Sequence, residues 1–211
     1  MARSSLAIRS TAFALAVMAL VAAPAISQPE KSKGTLYVVA AQIGIAVLKQ
    51  GKEPNSREAN LLKKLVEERS VEYFASVKTT VLTGEKADRT NILKALSDLE
   101  KQMKKKDVAL VFLAGHGSRH PKTNEFGYHP VGGPITGEEI RKAFDGMKGR
   151  SVLLMQACHA KALVETPTGK DRPFARTLVL TTCTEDETAS TLMGMVMING
   201  LANKVPTGTA S

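Results

Sequence analysis

Five aliphatic runs of strand length, separated by loops or helix-patterned segments, restrict the folds open to this 211-residue chain. They are residues 36–47 (LYVVAAQIGIAV), 77–82 (VKTTVL), 108–114 (VALVFLA), 151–157 (SVLLMQA) and 177–182 (TLVLTT). Near-continuous apolar runs, without the alternation of a half-wet strand, are the mark of strands covered on both faces. Between them, Leu61, Leu62, Leu65 and Val66 recur at helical spacing in residues 59–68. Ile92, Leu93, Leu96 and Leu99 do the same in residues 90–103. Thr136 followed three residues on by Glu139 predicts a capping box that opens a helix over residues 138–144. A last helical stretch is expected over residues 190–203, and a small hairpin over residues 126–131. Residues 49–56 and 160–176 read as loops on their Gly, Pro and polar content. Strands alternating with helices predict a three-layer α/β domain, its sheet mostly parallel and flanked by helices.

The ends of the chain are set apart from this pattern. Arg3 and Arg9, with no acid nearby, precede an uncharged apolar run at residues 11–23, and small residues Ala25 and Ser27 follow. Residues 1–27 therefore read as a signal peptide, with Gln28 as the mature start and a periplasmic or secreted destination. The apolar run is short for a membrane span, and no cysteine follows it to take a lipid, so no membrane attachment is expected after cleavage. Residues 33–204 form one expected domain; about 180 residues bury one real core but not two. Residues 205–211 read as a flexible tail. The formal charge of +9 could suit an acidic partner. The lysines are scattered, however, and the densest run, Lys104 to Lys106, sits at a helix end where cations complement the dipole. No nucleic-acid partner is expected.

Two strand ends carry reactive groups. The third run leads into Gly115-His116-Gly117, and the fourth ends at Gln156-Ala157-Cys158. If these strands are parallel neighbours, His116 and Cys158 meet at the carboxyl edge of the sheet, where α/β domains gather function. An imidazole beside a thiol generates the thiolate that attacks a carbonyl. The backbone N–H groups of Gly117 and Cys158 are the candidates for holding the resulting oxyanion. Two alternatives remain open. Cys158 and Cys183 could form a disulfide in an exported chain, and His116, His120, Cys158 and His159 could ligate zinc. Neither a G-x-S-x-G elbow nor a phosphate-binding glycine loop is present, and no carboxylate cluster resembles a calcium loop. No cofactor and no metal are expected.

VFLAGHGSRH, followed by SVLLMQACHA with Cys158 42 residues after His116, resembles the catalytic pair of the caspase and metacaspase superfamily. Gln156-Ala157-Cys158 matches the caspase signature; His159-Ala160 is closer to the metacaspase pattern. The segment from Thr182 to Thr188 and the helices around the two strands are similar as well. The resemblance implies a caspase-like fold and a cysteine endopeptidase acting on peptide or protein substrates, with Cys158 as nucleophile and His116 as base. It makes Gln156 a substrate-binding position, where similar metacaspases carry an acid, and it makes Glu185 and Asp186 acids for a basic residue before the scissile bond. Arg57 is the one arginine placed to favour an acidic residue instead. It also implies self-processing in the loop after Cys158, at Lys170 or Arg176. A non-catalytic caspase-like interaction module is the alternative function. The oligomeric state is not legible.

Overall fold

A computed structural model describes residues 32–43, 57–165 and 174–181. Its elements in chain order are β1 (Ser32–Gln42), α1 (Arg57–Arg69), β2 (Phe74–Thr83), α2 (Arg89–Gln102), β3 (Val108–Ala114), β4 (Gly117–Arg119), β5 (Phe126–Tyr128), β6 (Ile135–Thr136), α3 (Gly137–Asp145), β7 (Arg150–Gln156), α4 (Ala162–Glu165) and β8 (Thr177–Thr181). Five strands make one sheet in the order β2-β1-β3-β7-β8, and every neighbouring pair is parallel. The strand order reverses between β1 and β3.

Both faces of the sheet are covered, as the continuous apolar runs require. Leu36, Val38, Ala40, Phe112, Val152 and Leu154 pack on one face against Ala59, Leu62, Leu65 and Val66 of α1. Val39, Ala41, Val111, Leu113, Leu153 and Met155 face the other side, where Ile92, Leu96 and Leu99 of α2 and Ile140 and Phe144 of α3 close a larger core. Burying one such aliphatic side chain contributes about 1.5–3 kcal/mol. The three-layer α/β arrangement with a parallel sheet is the expected one.

Some boundaries differ from the sequence pattern, for one physical reason. Parallel pairing is made by backbone, so polar residues join strands that burial alone would not extend. β1 starts at Ser32, opposite Phe74, before its apolar run begins. β2 likewise includes residues 74–76 ahead of Val77. Residues 126–131 are not a hairpin. β5 pairs antiparallel with β4 on one side and β6 on the other. The turn that closes β4 onto β5 lies at Asn124, whose φ is +58° and whose N–H donates to the His120 carbonyl. Pro130 has no N–H to continue the ladder. Within the expected loop at 160–176, residues 162–165 form α4, with Ala162 and Leu163 buried. The last helix at 190–203, the signal peptide and the tail lie outside the described residues.

The starts of α2 and α3 are tied together by one carboxylate. The Thr136 side chain caps α3 and Glu139 reaches back to the Thr136 N–H at 3.0 Å, completing the capping box. The same Glu139 accepts two bonds from Arg89, at 2.6 and 3.1 Å, from the first turn of α2. The Arg89 bonds, and then the Thr136 N–H, hold the Glu139 carboxyl down at about 2. A carboxyl lowered in the folded state stabilises the fold above its ordinary range and loses that contribution as pH falls through the folded value. Glu139→Gln is therefore expected to lower the urea midpoint at neutral pH, with the gap to wild type closing between 4.5 and about 2. A gap that persists at the acid end would mean the loss is steric. Partial exposure of both partners keeps the effect modest.

Candidate active site

β3 and β7 are adjacent and parallel, in register from Val108 opposite Arg150 to Ala114 opposite Gln156. The ladder continues one step beyond the strands, where the Gly115 N–H donates to the Gln156 carbonyl at 3.0 Å. His116 comes next. Gly117 then packs directly on the chain at Cys158: a Cβ built on Gly117 would collide with the Cys158 carbonyl oxygen and lie 3.0 Å from the Ala157 Cβ. His116 thus sits between two points at which its backbone touches residues 156–158. The condition set by the sequence, that the two strands be parallel neighbours, is met.

The small sheet holds the His116 turn from its other side. Tyr128 is fully buried and its hydroxyl donates to the Ala114 carbonyl at 3.0 Å; that burial pushes the phenol far above its usual range. The His129 N–H donates to the His116 carbonyl at 2.9 Å. The His116 Nε2 is itself buried and has no hydrogen-bond partner among the described residues.

Cys158 carries a thiol and is half-buried. β7 ends at Gln156, and the chain turns at once: His159 takes a φ of +57°, and its carbonyl accepts from the Ala162 N–H at 3.0 Å as α4 begins. A non-glycine residue held at positive φ beside a reactive group is the kind of strain that functional turns store. His120 and His129 are occupied elsewhere. His120 Nδ1 lies 3.0 Å from the Thr123 hydroxyl, and His129 Nε2 lies 2.6 Å from that of Ser118. Among the described residues, no three His, Cys, Asp or Glu side chains come together as metal ligands would.

Gln156 lies on the α1 face beside two residues that the sequence pattern did not point to. Gln42 Nε2 donates to Glu58 Oε2 at 2.5 Å, and Gln42 Oε1 accepts the Ala59 N–H at 2.9 Å, capping α1. Gln156 hydrogen-bonds the same carboxyl group. Burial raises the Glu58 pKa, and the bonds from Gln156 and Gln42 oppose it. Two signals were available. Gln42 interrupts an apolar strand, and Glu58 stands four residues before Leu62, on the buried stripe of its helix. Arg57, by contrast, is exposed.

Of the proposed processing positions, Arg176 is exposed, but its carbonyl accepts from the Ser151 N–H at 3.1 Å, at the start of β8. Its guanidinium reaches the Lys148 carbonyl at 3.3 Å. Lys170, Cys183, Glu185 and Asp186 lie outside the described residues.

The family model described as Caspase domain matches residues 53–204. Among solved structures, protein GSU0716 from Geobacter sulfurreducens is similar with a TM-score of 0.45 at 16% identity. That likeness covers 60% of this chain and 51% of the other, so it spans about half of that protein's chain. No curated protein matches the chain.

Proposed function

The chain belongs to the caspase domain family, and on that premise we propose that it is a cysteine endopeptidase using Cys158 and His116. The observation that carries this reading is the contact of the His116–Gly117 turn with Cys158 at the carboxyl ends of two adjacent parallel strands. His116 takes the thiol proton as Sγ attacks the scissile carbonyl carbon. The N–H groups of Gly117 and Cys158 hold the oxyanion. The C–N bond then breaks, His116 returns the proton to the leaving amine, and water hydrolyses the thioester. Presence of both the base and the nucleophile favours this over a non-catalytic interaction module.

Cleavage follows a basic residue in this reading, with Glu185 and Asp186 contributing acids. The apolar, Arg-flanked leader sends the chain out of the cytoplasm as a periplasmic or secreted enzyme. Self-processing falls at Lys170 or Arg176. Lys170 is the better position, because cutting after Arg176 must first release its carbonyl from Ser151. One experiment tests these together. The exported protein is incubated with an irreversible thiol-reactive inhibitor built on an arginine peptide and then analysed by mass spectrometry. The expected result is a mature N-terminus at Gln28, label on Cys158, and fragments ending at Lys170 in samples left uninhibited. Label on Cys183 alone would overturn the assignment. Fragments ending at Asp171 would overturn the basic preference.

A further inference from the structure

The third histidine of the sequence stands beside the first in space. β4 and β5 pair antiparallel, with Gly117 opposite Tyr128 and Ser118 opposite Gly127. The bond from the His129 N–H to the His116 carbonyl, at 2.9 Å, carries that ladder one step further. Ser118 and His129 are therefore diagonal neighbours on the small sheet, a spacing that a long side chain can cross. They meet: the Ser118 Oγ lies 2.6 Å from the His129 Nε2. Gly127 leaves the room for this contact. A Cβ built on it would already touch both groups, at 3.4 Å from the His129 Nε2 and 3.5 Å from the Ser118 Oγ.

The two bonds close a ring. It runs from the His116 carbonyl through Gly117 to Ser118, across to the imidazole, and back through the His129 N–H. The ring gains its importance from the state of the His116 side chain. With the buried Nε2 unpartnered among the described residues, no side chain orients the imidazole at that nitrogen. Its direction is left to the backbone that carries it. On the upstream side that backbone is fixed by the Gly115 N–H on the Gln156 carbonyl and by the Tyr128 hydroxyl on the Ala114 carbonyl. On the downstream side it is fixed by the ring. A polar contact at a wet surface adds little to stability, so the effect of the Ser118–His129 bond falls on where the turn sits.

We infer that Ser118 and His129 are positioning residues that hold the turn carrying His116 in place against Cys158. They act through the His116 backbone. The effect on turnover rests on the endopeptidase reading; the effect on the thiol does not. A displacement of about 1 Å at a reacting pair can cost ~10²-fold, and loosening one of several supports costs less.

Ser118→Ala and His129→Leu should each lower kcat on an arginine peptide about tenfold, with KM within about twofold of wild type. The double variant should be no worse than either single one, since both remove the same bond. Ser118→Thr keeps the hydroxyl, and His129→Gln puts an amide near the place of Nε2; both should recover most of the rate. Thr123→Ala is the control. It removes a like contact, hydroxyl to His120 Nδ1 at 3.0 Å, in the turn at the far end of β4, and kcat should not change. The second readout needs no turnover. Alkylation of Cys158 by iodoacetamide at neutral pH, located by mass spectrometry, reports the thiolate. Its rate should fall about tenfold in Ser118→Ala, towards that of His116→Ala. Loosening of a merely structural kind would expose the thiol and leave that rate unchanged or raise it. Ser118 is exposed, so Ser118→Ala serves if His129→Leu does not fold. An alkylation rate that holds or rises overturns the positioning role, and so does an equal loss of kcat in Thr123→Ala. Wild-type protein that cleaves no peptide, yet shows the drop in alkylation, would sink the endopeptidase reading and keep the positioning role. Wild-type kcat in both Ser118→Ala and His129→Leu would do the reverse.

Discussion

Cys158→Ala should lower peptide hydrolysis by ~10⁴-fold or more and abolish labelling by thiol-reactive inhibitors. Among the described residues Cys158 is the one thiol, and in the proposed mechanism what survives its loss is the binding and oxyanion contribution alone. His116→Ala should cost about 10²–10⁴-fold, because a thiol retains some nucleophilicity without its base. Part of that loss should return at higher pH, where solvent deprotonates the thiol, and Cys158→Ala should show no such recovery. The double variant should be no worse than Cys158→Ala, as expected for residues acting in one step. Cys183→Ala should keep most activity. Steady-state kinetics on an arginine peptide, with circular dichroism to confirm folding, decides. Equal losses from Cys158→Ala and Cys183→Ala would favour a disulfide that holds the fold.

Gly117→Ala should be nearly as damaging although it removes nothing. The added methyl meets the Cys158 carbonyl, the Ala157 Cβ and the Phe126 ring, two of them at 3.0 Å and the carbonyl closer still. The carbonyl is backbone, so relief requires the turn carrying His116 to move away from Cys158. Overpacking of this kind costs typically 1–3 kcal/mol of stability. The larger effect is on rate, because a displacement of about 1 Å at a reacting pair can cost ~10²-fold. We expect kcat to fall by about that factor while the protein remains folded at room temperature. Wild-type kcat in a folded Gly117→Ala protein would show that the approach of the two turns is incidental to activity.

How much of this could be read in advance differs from element to element. β3 matches residues 108–114 because a strand buried on both faces writes its whole length in aliphatic residues. The capping box at Thr136 and Glu139 was legible because its geometry needs two residue types at one spacing. β4 was not, since Gly-Ser-Arg has no strand character of its own and is held by pairing with β5. The position of Gln156 emerged from its place before Cys158, but its partner did not. A carboxyl group within the apolar stripe of α1 breaks the pattern by which helices are found, and its partners, Gln42 and Gln156, lie in two other elements. Tyr128 gives no signal of its own, since its hydroxyl contact to Ala114 exists only once the small sheet has docked.

His116 and Cys158 each follow a strand, and the two strands are neighbours in space and distant along the chain. Neither His116 nor Cys158 has the other beside it until β3 and β7 pair, and pairing of parallel strands is among the slower steps of folding. An unfolded chain of this sequence therefore carries an ordinary thiol and an ordinary imidazole. On the proposed mechanism, reactivity arrives with the tertiary structure, so the same register that builds the sheet would also keep the newly made chain harmless to its surroundings until it has reached its final form.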